Sequence, residues 1–117
     1  MSKSGEKLDH KEILKAFDAL VNITPAKLEK WLRTEESRSV GWKHEGETES
    51  IGHESGRKII DIKHKKKTDL GEDDYRHMNK VVGYIRRHLA QGGPQDDEAH
   101  SRWRYSLMNW GHDPLKK

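Results

Sequence analysis

The chain has no cysteine, only three prolines and a single phenylalanine among its 117 residues. Without cysteine there is no disulfide framework, no thiol nucleophile and no Cys-type zinc site, which fits a reducing compartment. No apolar run approaches the roughly eighteen residues that span a bilayer. The polar string MSKSGEKLDHKE at the N-terminus lacks the apolar centre of a secretion signal. These absences lead to the expectation of a cytoplasmic protein, nucleoid-associated if it is bacterial. Apolar mass is scarce as well, at 31% hydrophobic against 37% charged residues, close to compositions that stay disordered.

What apolar mass there is falls into short periodic clusters, so a small helical core is expected. The length suits one domain: a flexible polar lead over residues 1–6, a single helical domain over 7–114 and a tail over 115–117. From about Lys7 to Asn22, the residues Ile13, Leu14, Phe17, Leu20 and Val21 share one helical face. Thr24 as N-cap, Pro25 at the first helical position and an Ile23–Leu28 staple start a second helix, with Leu28, Trp31 and Leu32 on its buried stripe. Residues 35–50 show no period, carry five glutamates and contain Gly41 and Gly46, which predicts an exposed loop. In this loop Val40 and Trp42 are expected to pin the chain to the core; an exposed recognition tryptophan is the other reading.

A third helix is predicted from about Gly52 to Lys66, with Ile59, Ile60 and Ile62 inward. Lys63 falls in the middle of that apolar arc, so its stem must snorkel along the core edge or the helix must loosen. After Gly71 the acidic run Glu72, Asp73 and Asp74 complements the positive end of a long helix. Tyr75, Met78, Val82, Ile85 and Leu89 give that helix its apolar stripe, and Gly92-Gly93-Pro94 ends it. A last helix from about Asp97 to Trp110 buries Ala99, Trp103, Leu107 and Trp110, with Gly111 as its C-terminal cap. The fold class is all-α, with about five helices and no strand pattern.

Charge is unevenly placed. Residues 1–50 hold nine Lys and Arg against ten Asp and Glu, whereas residues 51–117 hold fourteen against ten. A polyanion is therefore expected to dock on the second half. On the long helix, Arg76, Lys80, Gly83 and Arg87 lie opposite the apolar stripe at i, i+4, i+7 and i+11. Three cations in one arc, with a glycine that lets a backbone approach, suit phosphate contacts. The plain alternatives are a solvated face, and close packing of another helix at Gly83. Lys63, His64, Lys65, Lys66 and Lys67 form a cationic run at a helix C-terminus; dipole complementarity explains part of it, but not four lysines. With Arg57, Lys58 and Arg86 added, residues 52–91 form a helix, a glycine-containing turn and a second helix, in outline a helix-turn-helix. The acidic first turn of the second helix speaks against insertion among bases. The expected partner is DNA, bound electrostatically and with weak sequence selectivity.

Chemistry other than binding has little support. His77 and His88 share a helix side but stand three turns apart, too far for one metal ion, and no HExxH or His-x3-His spacing occurs. There is no nucleophile elbow and no glycine-rich phosphate loop. His112-Asp113 after Gly111 reads as a helix terminator. The expectation is a non-enzymatic protein with no cofactor and no metal. The competing class is a protein-interaction or adaptor module, meeting a protein partner through the Trp42 loop or an exposed part of the tryptophan helix.

The strings GHESGRKIIDIKHKKKTDL, DDYRHMNKVVGYIRRHLAQ and RWRYSLMNWGHDP, in that order, resemble a family of small proteins widespread in bacteria and present in some fungi. That family is a domain of unknown function, and SLMNWGHDP is its most distinctive string here. The similarity runs from about Val21 to Pro114, and Lys63 departs from the apolar residue expected at its position. The resemblance implies a shared fold. Members are often labelled "DNA-binding protein", which implies a nucleic-acid partner without identifying residues that carry it.

Overall fold

Short capping side chains set the starts of the helices. The computed structural model describes residues 9–41, 43, 45–46 and 49–116. Asp9 accepts from the Glu12 amide and opens α1 (His10–Leu20). Thr24 accepts from Lys27 N and opens α2 (Pro25–Leu32), which has Pro25 in its first turn. Thr34 does the same for the short α3 (Glu35–Ser39), and Ser50 for α4 (Ile51–His64). Each such cap satisfies an amide that the helix itself leaves orphaned. At α5 (Glu72–Gln91) the cap works in reverse: Asp74 Oδ2 accepts from the Gly71 amide at 3.0 Å. The last helix, α6 (Arg102–Asn109), is capped by Ser101 and preceded by a 3₁₀ turn at Glu98–His100. A second 3₁₀ turn, Lys67–Asp69, lies between α4 and α5.

The result is all-helical, with six α-helices and no strand among the described residues. None of these helices is long and apolar enough to cross a membrane. The expected start of the first helix at Lys7 and the expectation for Trp42 lie outside the described residues. Two boundaries differ from those predicted. The stretch 35–50 is not wholly an exposed loop: it contains α3, and Ser37, Val40 and Ser50 are buried. The last helix is broken at Ser101, whose extended backbone separates the 3₁₀ turn from α6.

α1 packs on α5, α2 packs on α4, and α6 meets α2, α3, α4 and α5. Phe17, Leu28, Ile59, Met78, Val81, Ile85 and Leu107 are essentially fully buried where these layers meet. Lys63 snorkels: its Nζ lies 5.1 Å from the centre of the Phe17 ring and 3.2 Å from Asp18. The aliphatic stem covers apolar surface while the ammonium keeps a carboxylate partner.

The tightest crossing depends on missing side chains. A Cβ on Gly56 would sit 2.7 Å from the Asn109 carbonyl oxygen and 2.8 Å from Leu32 Cδ2. One on Gly52 would sit 3.0 Å from Trp110 Nε1. With Ser55, these glycines make a buried small-residue face of α4 that receives the C-terminal end of α6. Gly56→Ala should therefore destabilise the protein by about 1–3 kcal/mol, despite alanine's better helix propensity. A urea midpoint unchanged or raised in this variant would show that α6 can shift without cost.

Candidate functional site

The C-terminal string that dominates the sequence turns out to be a structural clamp. Asn109, only 1% exposed, accepts at Oδ1 from Trp31 Nε1 (2.7 Å) and Ser37 Oγ (2.6 Å), and donates from Nδ2 to the Ser37 carbonyl (3.0 Å). It thereby ties α6 to α2 and α3. Gly111, at φ +84°, lies against Val21 and Ile59 and accepts from the Ile23 amide. The His112 ring is hydrogen-bonded to the Leu20 carbonyl at 2.6 Å. Asp113 takes a bidentate pair from Arg104 (3.0 and 2.9 Å) and exchanges two bonds with Asn22. His112-Asp113 does more than end a helix: it fastens the chain end to the α1–α2 corner.

α5 is buried along a second edge that the apolar stripe did not reveal. His77, Tyr84 and His88 share that edge and face aromatic residues in and after α6. Tyr84 stacks on Trp110 at 4.3 Å between ring centres and on His88 at 5.0 Å; His77 lies 6.3 Å from Trp110 and His88 6.5 Å from Trp103. Trp103 Nε1 donates to the His88 carbonyl at 2.9 Å. The two histidines thus belong to an aromatic ladder. Among the described residues, no group of three or more His, Asp or Glu side chains could hold a metal ion.

Burial also sets the titration of this edge. Desolvation, with the positive charges of Lys58 and Lys80 beside it, pushes His77 down to about 4, although the Ser55 hydroxyl bonds it at 2.9 Å and Glu54 opposes the shift. His88 is lowered by burial alone. The folded state therefore favours neutral His77, whereas an unfolded histidine protonates near 6.5. The stability this contributes is complete above about pH 6.5 and is lost as pH falls from there to about 4. We expect a loss of about 2 kcal/mol over that window after allowing for partial solvent exposure. Comparing the pH dependence of urea unfolding in the wild type and in His77→Gln isolates this residue from His88. Identical profiles would refute the assignment.

The ten cation and glycine positions proposed from sequence differ in which side chains they meet. Arg57 is held by Glu49 through two bonds of 2.8 and 2.6 Å. That pairing holds Glu49 at about 2, even though partial burial opposes it and His53 assists it. Lys65 is held by Asp74 at 2.9 Å. Lys66 and Lys67 lie in the α4–α5 connection, and Lys67 lines a small cavity on the α1 side with Leu14, Phe17 and Asp18. Arg86 is exposed and about 100° around the helix from Arg87.

The structure does keep Arg76, Lys80 and Arg87 together, exposed and within about 40° on the outer arc of α5. Lys58 joins them across the α4–α5 groove, where it and Lys80 both act on His77. Arg76 has one loose contact, 3.6 Å from the fully exposed Asp73. No carboxylate lies within 4 Å of Lys58, Lys80 or Arg87 among the described residues. Gly83 faces no second helix. A Cβ there would meet only the Arg87 guanidinium at 3.0 Å, so the glycine gives room to that side chain.

Fold and site together define a small all-helical domain, fastened by its C-terminal segment and carrying a short cationic row on its longest helix. Residues 16–108 match the family described as "Protein of unknown function (DUF3140)", and the chain belongs to that family. The matched span ends inside the SLMNWGHDP string, leaving Asn109 to Pro114 beyond it. No curated protein and no solved structure matches the chain.

Proposed function

We propose that this protein binds nucleic acid non-enzymatically, duplex DNA in the first instance, by laying the outer arc of α5 along the phosphate backbone. The observation that carries this reading is the group of Lys58, Lys80 and Arg87 on one face without carboxylate partners among the described residues, extended by Arg76. Such a row attracts a polyanion and positions it, but reads no bases. Arg57 and Lys65 contribute little, because their carboxylates would have to be displaced. Helix-turn-helix insertion has less support than contact along the helix. The first turn of α5 is acidic, and α1 sits against it, with His10 stacked on Tyr75 at 3.9 Å and bonded to Glu72 at 2.9 Å.

A protein-docking role finds less support, since Leu115 is the one large apolar side chain exposed among the described residues. With three to four phosphates contacted, affinity for a generic labelled duplex should fall roughly 40- to 150-fold between about 50 and 200 mM salt. Lys80→Glu with Arg87→Glu should weaken binding by more than about tenfold at low salt, while Arg86→Glu does much less. Fluorescence anisotropy reads all three. Binding that ignores salt, or survives the double reversal, overturns the proposal.

A further inference from the structure

Behind the cationic row lies a cavity of about 300 Å³, walled by Ile51 and Gly52 of α4, Lys80, Tyr84 and Arg87 of α5, and Trp110 after α6. Its size is at the lower end of small-molecule sites. Two cations, Lys80 and Arg87, line it together with Ser106 and Tyr84, and no Asp or Glu is among the lining residues. Asn109 also lines it, but its carbonyl oxygen is already occupied by Trp31 and Ser37. Trp110 is 4% exposed, and its indole Nε1 lies beside Gly52 with no hydrogen-bond partner among the described residues, a donor still able to bond. Gly52 and Ile51 open α4, and their amides have no partner among the described residues either; a helix start favours negative charge. The rest of the wall is mostly apolar, from Ile51, Tyr84 and Trp110, with Gly41 and Ser106 completing it.

From this combination we infer that the cavity is a binding site for a small amphipathic anion: a compact flat or aliphatic body bearing one carboxylate or similar acidic group. The acidic group is received between Lys80, Arg87, the Trp110 indole N–H and the start of α4, and the apolar body rests on Ile51 and Tyr84. A hydrophilic anion such as free phosphate would leave the apolar wall unused. A neutral apolar molecule would leave the donors unpaired. The assignment stands independently of nucleic-acid binding, although it draws on two of the same cations.

The test uses the full chain and benzoate as the probe, followed by ¹H–¹⁵N correlation spectra without DNA. Saturable shifts of the Trp110 indole, Ile51 and Gly52 signals, with a dissociation constant of roughly millimolar order, are expected. Lys80→Gln with Arg87→Gln changes only exposed side chains and should weaken benzoate at least about tenfold, as should replacing benzoate with benzyl alcohol. Absence of saturable shifts, or equal binding of benzyl alcohol, overturns the inference. A short duplex that shifts the buried indole as benzoate does would make the cavity a seat for a backbone phosphate and would also overturn it. A duplex that shifts only the outer arc of α5, or nothing at all, leaves the cavity assignment standing on the benzoate result.

Discussion

Asn109→Ala should cost about 3–5 kcal/mol of stability, a large share of what a domain of this size has in total. The side chain is buried and makes three hydrogen bonds, to Trp31, to the Ser37 hydroxyl and to the Ser37 carbonyl. Truncation leaves two donors and one acceptor without partners, where unmade bonds cost about 1–3 kcal/mol each. It also detaches α6 from α2 and α3 together, which a chain with 31% hydrophobic residues has little reserve to absorb. Asn109→Asp is the more discriminating variant. It keeps the shape and the acceptor but turns the donor that faces the Ser37 carbonyl into a second oxygen. It should be nearly as damaging as alanine at neutral pH. Chemical denaturation measures both, and a loss below about 1 kcal/mol in either would mean that the network is dispensable.

Trp110→Ala should cost a similar amount, about 3–5 kcal/mol, and more than Trp103→Ala. Trp110 is 4% exposed, stacks on Tyr84 at 4.3 Å and fills the space left by Gly52. Trp103 is only half-buried. One face of its ring lies over Gly93, where a Cβ would be 2.6 Å away, and its indole is tied to the His88 carbonyl. Periodicity put Trp103 and Trp110 on one buried stripe without ranking them. The structure gives the larger share to Trp110, and Trp103→Ala should cost about 1–3 kcal/mol. Urea unfolding of the two variants under one condition ranks them, and the opposite order would mean that the outer tryptophan carries the core.

Much of the helical layout is legible without coordinates. α2 and α5 are framed by strong stop and start signals, Thr24-Pro25 on one side and Gly92-Gly93-Pro94 on the other, and the observed boundaries of α5 coincide with them. α3 was hidden because five residues are too few to show a period, and it is held by the Thr34 cap and by Ser37 reaching Asn109. The small-residue face at Gly52, Ser55 and Gly56 was hidden for a different reason. Apolar periodicity detects side chains that fill space, not gaps left for a neighbour. Apolar periodicity passed over His77, Tyr84 and His88 because polar aromatics bury as readily as they face water, depending on what lies opposite.

The cationic site divides in the same way. That Arg76, Lys80, Gly83 and Arg87 share one side of a helix follows from its 100° step per residue, and so does the place of Arg86 off that side. Residue order alone was enough for that, as it was for the all-helical class, the Thr24 cap and the lack of disulfides. Which cations remain available was decided only in three dimensions. Glu49, just before the Ser50 cap, meets Arg57 two turns into α4, and Asp74 meets Lys65 across the 3₁₀ turn. Helical periodicity is a local property written in every residue, whereas ion pairing, desolvation and cavities depend on distances between segments, and those exist only once the chain has folded.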